Sequence, residues 1–238
     1  MLSNKLRKQI QQLNRKKYRQ QWGLFVAEGE KVVQDLLAAH YVPVHLLATK
    51  PYENLETISI SNAQMRSISH FATPSPLLGV FEHPQKAIKT PTSFHLVLDQ
   101  IKDPGNLGTL IRLSDWYGLN DLVCSLDSVD CYNPKVVQAS MGSIARVQIH
   151  YCSLENHLKS LAGPIYFADL NGASLYAQPL QTKGALVLGS ESHGISPALY
   201  EVAHQALTIS KQNKNKACVE SLNVAVAGAI FLHEFFRP

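Results

Sequence analysis

LVLGSESHGIS, residues 186 to 196, and ESLNVAVAGAIFLHE, residues 220 to 234, decide how this chain is read. Two short strands here each run into a turn rich in Gly, Ser, Glu and Asn, which gathers backbone amides and small side chains near one surface. Such a surface cradles a small polar ligand. Gly189 to Ser196 reads GxxxxGxS after a strand, the outline of a phosphate-binding P-loop, but Ile195 stands where that loop needs Lys. Nucleotide hydrolysis is therefore not expected. No G-x-G occurs anywhere, so the dinucleotide fingerprint is absent too. In isolation Gly189 and Gly194 serve equally well as turn punctuation, and Glu191 as an exposed turn carboxylate.

Outward from these turns, strands are expected near Phe94 to Leu98, Asp121 to Cys124, Ile165 to Ala168, Ala185 to Leu188 and Ala206 to Ile209, alternating with helical stretches. The alternation predicts an α/β fold with a largely parallel sheet covered on both faces. The last helix is apolar nearly all round from Val224 to Leu232, so it needs cover on several sides, from its own sheet and from a partner subunit. Towards the N-terminus a smaller α/β unit is expected. It has a helix over residues 3 to 20 with Leu6, Ile10 and Leu13 as its apolar stripe, strands at Leu24 to Ala27, Val44 to Ala48 and Leu77 to Phe81, and a helix from Glu30 to His40. HPQKAIKTPT, residues 83 to 92, has linker composition. Three segments follow: residues 1–82, a linker 83–92, and residues 93–238.

The 238 residues, 45% hydrophobic and 17% charged, are those of an ordinary globular protein. The net charge of +4 hides an asymmetry. Lys5, Arg7, Lys8, Arg15, Lys16, Lys17 and Arg19 all precede the first acid, Glu28, while the remainder carries a small acid excess. A basic block with Tyr18 and Trp22 beside it suits nucleic-acid phosphate; it also fits a solvated basic helix. Cys124, Cys131, Cys152 and Cys218 show neither CxxC pairing nor zinc spacing, so no metal is expected. The N-terminus is charged where a signal peptide is apolar, and the run from Val224 to Leu232 is too short for a bilayer. A cytoplasmic protein without membrane contact is expected.

After strand HLVLD comes QIKDPGNLGTLIRLSDWYG, opening a helix near Asn106. Leu107, Leu110, Ile111 and Ser114 share one face; Gly105, Gly108, Arg112 and Trp116 share another. Free amides at the helix start attract an anion, and Arg112 can fork onto a phosphate. Asn106 as a plain cap and Arg112 in a surface ion pair would fit the same spacing. Ser221 is similarly a candidate N-cap of the last helix.

DPGNLGTLIR, LVLGSESHGIS and ESLNVAVA, in that order, resemble the three motifs of the SpoU family of RNA 2'-O-ribose methyltransferases, within the knotted SPOUT class. The resemblance covers about residues 94 to 236. Residues 1–82 look like the family's N-terminal substrate-binding domain, a ribosomal-protein-like RNA-binding fold, through their position, basicity and the segment FVAEGEKVVQDLL. The resemblance implies a trefoil knot in the C-terminal domain, a homodimer formed through that domain, and rRNA or tRNA as substrate. It implies S-adenosylmethionine as methyl donor, held by backbone around Leu188, Gly189, Ile209 and Leu222, with Glu191, Gly194 and Asn223 shaping the pocket. Asn106 and Arg112 match the positions that meet the target ribose and phosphate; Glu191, Ser221 and Asn223 complete the implied catalytic set. After Ile209 a Pro is common in the family, whereas this chain has Ser210 and then KQNKNKACV, which leaves the last cofactor loop undefined. Lys211, Lys214 and Lys216 there either touch RNA or are solvated.

Methyl transfer to a ribose hydroxyl is an in-line displacement that positioning accelerates. The sulfonium needs no metal. Arg112, always protonated, is a poor base and is expected to act through the substrate phosphate, orienting the hydroxyl and steadying the developing alkoxide. Two other functions fit parts of the chain: a non-catalytic RNA-binding protein acting in ribosome assembly, and a small-molecule methyltransferase on the same fold.

Overall fold

The computed structural model describes residues 2–84, 94–177, 179–211 and 219–237. Most of the linker expected at 83–92, and Lys214, Lys216 and Cys218 of the loop expected at 210–219, lie outside the described residues. In chain order the helices are α1 (Asn4–Gln12), α2 (Lys16–Trp22), α3 (Glu30–Ala38), α4 (Asn62–Ile68), α5 (Pro104–Trp116), α6 (Pro134–Ala139), α7 (Leu154–Lys159) and α8 (Val224–Phe235). The strands are β1 (Leu24–Glu28), β2 (Pro43–Ala48), β3 (Ile58–Ser59), β4 (Leu77–Glu82), β5 (Phe94–Leu98), β6 (Asp121–Ser125), β7 (Gln148–Cys152), β8 (Ile165–Ser174), β9 (Gly184–Leu188) and β10 (Gln205–Thr208).

The chain forms two compact units. One comprises Met1–Ala87 with Asp130–Arg146; the other comprises Ile88–Val129 with Val147–Pro238. Residues 130–146, expected within the segment 93–238, belong to the first unit. That unit has a four-stranded sheet in the order β1-β4-β2-β3, antiparallel except for the β2/β3 pair. Ile10, Leu13, Val26, Leu47, Met65, Ile68 and Leu78 form its core. The single helix expected over 3–20 is two: the chain breaks after Gln12 and restarts at Lys16, with Ser3 capping the first through the Leu6 amide at 3.2 Å. Leu13, outside both, keeps its core position.

Arg19 departs most from expectation. It is 1% exposed, not part of a solvated basic face. Its Nη2 lies 2.6 Å from Asp130 Oδ2, its Nε donates to the same oxygen at 2.7 Å, and its Nη1 donates to the Leu13 carbonyl at 2.8 Å. This pair, two guanidinium N–H groups on one carboxylate oxygen, ties residues 130–146 to α2. Tyr132 packs its ring 4.5 Å from Phe25 and 4.4 Å from His83, Tyr41 donates to the Ile144 carbonyl, and Arg146 pairs with Asp35. At Gly142 (φ 91°) a Cβ would meet Asp35 Oδ2 at 2.0 Å, so only glycine lets the chain pass.

The second unit is a six-stranded sheet in the order β10-β8-β9-β5-β6-β7 with every neighbour parallel. β5 and β9 are buried at every residue, as strands covered on both faces must be. Leu98 pairs with Leu188, so the two central strands end together, and the following turns, at Asp99 and Gly189, leave the sheet at one edge. Among the described residues no helix is long and apolar enough to cross a membrane.

Beneath the sheet, His95 on β5 is 2% exposed and neither ring nitrogen has a hydrogen-bond partner among the described residues. His157 stands edge-on to it at 5.3 Å. Burial pushes the His95 imidazole down to about 4, and His157 and His150 add to the shift while Asp121 opposes it. The folded state therefore holds His95 neutral, whereas the unfolded chain protonates near the ordinary histidine value of about 6.5. The His95 contribution to stability is whole above that value and is lost as pH falls from there towards 4.

Two outcomes follow. Arg19→Ala strands the Asp130 carboxylate and should lower the urea unfolding free energy by about 3 to 5 kcal/mol; a loss below about 1 kcal/mol would make the pair dispensable. His95→Leu should flatten the slope of stability against pH between 6.5 and 4, and an unchanged slope would place the acid sensitivity in other groups.

Candidate functional site

At the C-terminal ends of β8, β9 and β10 the second unit encloses a cavity of about 690 Å³. This edge is where open parallel sheets place their ligands. Leu188, Leu207, Val224 and Phe231 give it apolar walls, while Gly189 to Ile195 and Thr208 to Lys211 bring backbone and polar groups to its mouth. Leu188, Gly189, Gly194, Ile209 and Leu222, all expected to hold the cofactor, line this one cavity. Glu191 and Ser221 line it as well.

The motif after β9 closes on itself. Ser190 and Gly194 exchange both backbone hydrogen bonds, at 3.0 and 2.9 Å, across the turn Glu191-Ser192-His193. Gly194 takes φ 67°, and a Cβ on Gly189 would lie 2.3 Å from the Gly194 carbonyl. Both glycines are thus required by the turn, and the turn in its closed form presents Glu191 outward. The Ser196 amide donates to Asp99 Oδ2 at 2.7 Å, and the Gln100 side chain donates to Ser196 Oγ at 2.9 Å. Asp99, 3% exposed, and Gln100, at φ 57°, thereby pin the start of one motif against the end of another.

Three motifs far apart in sequence meet at one carboxylate oxygen. Asn106 Nδ2 donates to Glu191 Oε1 at 3.1 Å, Asn223 Nδ2 at 2.6 Å and the Val224 amide at 3.1 Å, and Asn223 Nδ2 also reaches Asn106 Oδ1 at 2.9 Å. Asn223 is the N-cap of α8, its Oδ1 accepting from the Ala225 and Val226 amides. A carboxylate at this helix start meets the positive end of the dipole. Ser221, the N-cap candidate from sequence, is instead exposed on the cavity wall.

The other helix start is also corrected. α5 opens at Pro104, and Asp103 is its cap, accepting from the Asn106 amide at 2.8 Å. Asn106 is therefore relieved of capping, and its side chain is available to Glu191 and Asn223. Gly108, expected on the open face with Arg112, is buried, and the face open to solvent runs through Gly105, Thr109, Arg112 and Trp116. Arg112 is exposed and makes no ion pair among the described residues, lying about 9 Å along the helix axis from Asn106 at 1.5 Å per residue. Neither Asn106, Arg112 nor Asn223 lines the cavity itself; they stand on helices beside it.

Asp99, Gln100, Asp103, Asp169 and Tyr200 were not singled out from sequence. Asp-Pro before a helix is a cap signal and could have identified Asp103; the others have no local signature. Among the described residues no cluster of His, Cys, Asp and Glu is arranged to hold a metal ion.

Residues 93–233 match the SpoU rRNA Methylase family, and residues 4–79 match the MRM3-like substrate binding domain. The 23S rRNA (guanosine(2553)-2'-O)-methyltransferase RlmP of Bacillus subtilis is 30% identical over 237 residues, covering 95% of this chain and 94% of that one. A structure from Porphyromonas gingivalis, assigned to the TrmH family of RNA methyltransferases, is 36% identical with a TM-score of 0.86, covering 99% of this chain and 98% of that one. The AdoMet-bound rRNA methyltransferase of Sinorhizobium meliloti, 24% identical, shares the fold with a TM-score of 0.86 over 100% of this chain and 96% of its own. With its three motifs gathered on one oxygen and matched over most of its length, the chain belongs to the SpoU rRNA methylase family.

Proposed function

We infer that this protein transfers a methyl group from S-adenosylmethionine to a ribose 2'-hydroxyl of RNA, either rRNA or tRNA. The observation that carries this is the convergence of Asn106, Glu191 and Asn223 beside a cavity of about 690 Å³, a volume typical of cofactor sites. The activity of the B. subtilis relative supports it. The residues fit the cofactor: apolar walls for an adenine ring, glycines that let a tight turn form the mouth, and carboxylates in the lining for a cationic donor. Leu188, Gly189, Gly194, Ile209 and Leu222 would hold it. When bound, S-adenosylmethionine supplies a methyl group already activated by its sulfonium.

The chain's own contribution is positioning. Glu191 locks Asn106 and Asn223, fixing the start of α5 against the start of α8. Asn106 would orient the target ribose, and Ser221 would contribute from the cavity wall. Arg112, whose guanidinium has no protein partner among the described residues to displace, grips the adjoining phosphate and steadies negative charge as it grows on the hydroxyl oxygen.

Residues 1–82 would bind the substrate RNA. Lys5, Arg7, Lys8, Arg15, Lys16 and Lys17 are exposed, and the rings of Tyr18 and Trp22 pack against each other, tilted, at 5.1 Å on the same segment. Lys8, Gln11, Gln12 and Arg15 line a shallow groove there. The C-terminal domain, residues 93–238, would carry the family's trefoil knot and form a homodimer. Support for the dimer lies in two exposed apolar side chains, Trp116 at the end of α5, 83% exposed, and Val226 on α8, 50% exposed. A cytoplasmic enzyme fits the RNA substrate.

Labelled methyl from S-adenosylmethionine should appear in total RNA, with mapping placing it on a ribose 2'-oxygen. RNA binding without cofactor binding would replace the enzyme by a non-catalytic RNA-binding protein. Arg112→Ala should lower transfer by about a hundredfold or more, the usual effect of removing one preorganised donor, while calorimetry finds cofactor affinity unchanged. Full activity in that variant would remove Arg112 from the reaction.

A further inference from the structure

Ala206 on β10 pairs with Phe167 on β8, yet the next residue, Leu207, pairs with Ala173, so residues 168–172 stand out of the ladder. Such bulges re-aim side chains beside active sites. This one borders the cavity, where Ala168, Asp169, Leu170 and Asn171 all form part of the wall. It is held shut at its base, since a Cβ on Gly172 would lie 2.5 Å from the Ala206 carbonyl carbon, and Thr208 Oγ1 donates to the Leu170 carbonyl. The segment is therefore a built feature of the wall.

Asp169 projects from it with both oxygens fixed. The Asn171 amide donates to Oδ1 at 2.8 Å and the Tyr200 hydroxyl donates to Oδ2. Tyr200 is seated in turn edge-on against Phe167, with 5.4 Å between ring centroids. Burial foremost, with the Asp169 hydrogen bond and charge, pushes the Tyr200 hydroxyl up to about 12, so it stays a donor across the neutral range. Of the other cavity carboxylates, Glu191 is engaged by Asn106, Asn223 and the Val224 amide, and Glu220 is exposed.

We propose that Asp169 is the ribose anchor of the cofactor site, its carboxylate accepting hydrogen bonds from the two vicinal hydroxyls of the bound S-adenosylmethionine. The assignment rests on the cavity being the cofactor site. With one protein donor on each oxygen, the carboxylate plane is set and each oxygen keeps acceptor capacity, matching two adjacent hydroxyl donors. The amino-acid end of the cofactor is a poorer match: its ammonium comes with a carboxylate two bonds away, which Asp169 would repel, whereas the diol carries no charge. A carboxylate on vicinal ribose hydroxyls is also how dinucleotide folds read the same group.

The test is calorimetric titration of the full chain and of Asp169→Asn with S-adenosylmethionine, S-adenosylhomocysteine and 5'-methylthioadenosine, which keeps the ribose and lacks the amino-acid end. Asp169→Asn should weaken all three by about tenfold, the worth of a hydrogen bond to a charged acceptor. Unchanged affinity, or a loss confined to the two ligands bearing the ammonium, overturns the proposal while leaving the cavity assignment standing. Absence of binding by the unaltered protein overturns the cavity assignment and the anchor with it. If thermal unfolding shows Asp169→Asn misfolded, Tyr200→Phe decides: it leaves the carboxylate but frees its plane, and should weaken all three ligands by about threefold, less than a full charged hydrogen bond. No change in that variant rejects the anchor.

Discussion

One carboxylate oxygen, Oε1 of Glu191, is the constraint on which the site depends. It accepts from Asn106, Asn223 and the Val224 amide, groups 85, 32 and 33 residues away in the chain. Charge-assisted bonds to an anion are the strongest a protein surface makes without a metal, and placing the anion at the start of α8 adds the helix dipole. Each donor is also held by something else. Asp103 caps α5 so that Asn106 need not, and Asn223 spends its oxygen on α8 while its nitrogen serves Glu191. The result is a node at which two helix starts and one tight turn have a single mutual arrangement.

What places those three pieces near each other is the sheet. β5 and β9 are paired in register to their last residues, and both are buried throughout. Their ends are set by the ladder itself, with Leu98 opposite Leu188 as its last pair. Asp99 then fastens the turn after β5 to the turn after β9 through the Ser196 amide, with Gln100 adding a second tie to the same serine. The site is thus fixed from below by hydrophobic burial and from above by polar bonds, each removing freedom the other leaves.

The strands of the central sheet were legible because fully buried parallel strands are written as apolar runs, as HLVL and ALVL are here. β7 was not: QIHYC is half-buried at most positions and mixes polar with apolar residues, as suits the edge of the sheet. β8 looked four residues long because its bulge contains DLNG, which reads as a turn. The break between α1 and α2 was hidden by Leu13, whose spacing from Ile10 continues a helical stripe although it lies outside both helices. Least legible was Arg19. Seven cations precede the first acid, and nothing local distinguishes the one whose partner is 111 residues away. The assignment of 130–146 to the first unit was hidden for the same reason, since it follows from pairs such as Arg19–Asp130 and Arg146–Asp35 that no local pattern announces.

The cavity's own residues divide along the same line. Gly189 and Gly194 were visible because a tight turn needs residues without side chains, and glycine at a strand end is conspicuous. A side chain that acts only because the backbone is displaced leaves no comparable trace: Asp169 faces the cavity because residues 168–172 leave the ladder, and they leave it where Gly172 lets β8 and β10 approach within the reach of a Cβ. Glycines in this sheet therefore do two kinds of work, letting a turn close on itself at Gly189 and redirecting a strand at Gly172. Only the first is recognisable from its neighbours in sequence. The second becomes visible once the register of β10 against β8 is known, which is why Asp169 emerges from the structure, whereas Gly189, Gly194 and Glu191 were legible in the sequence.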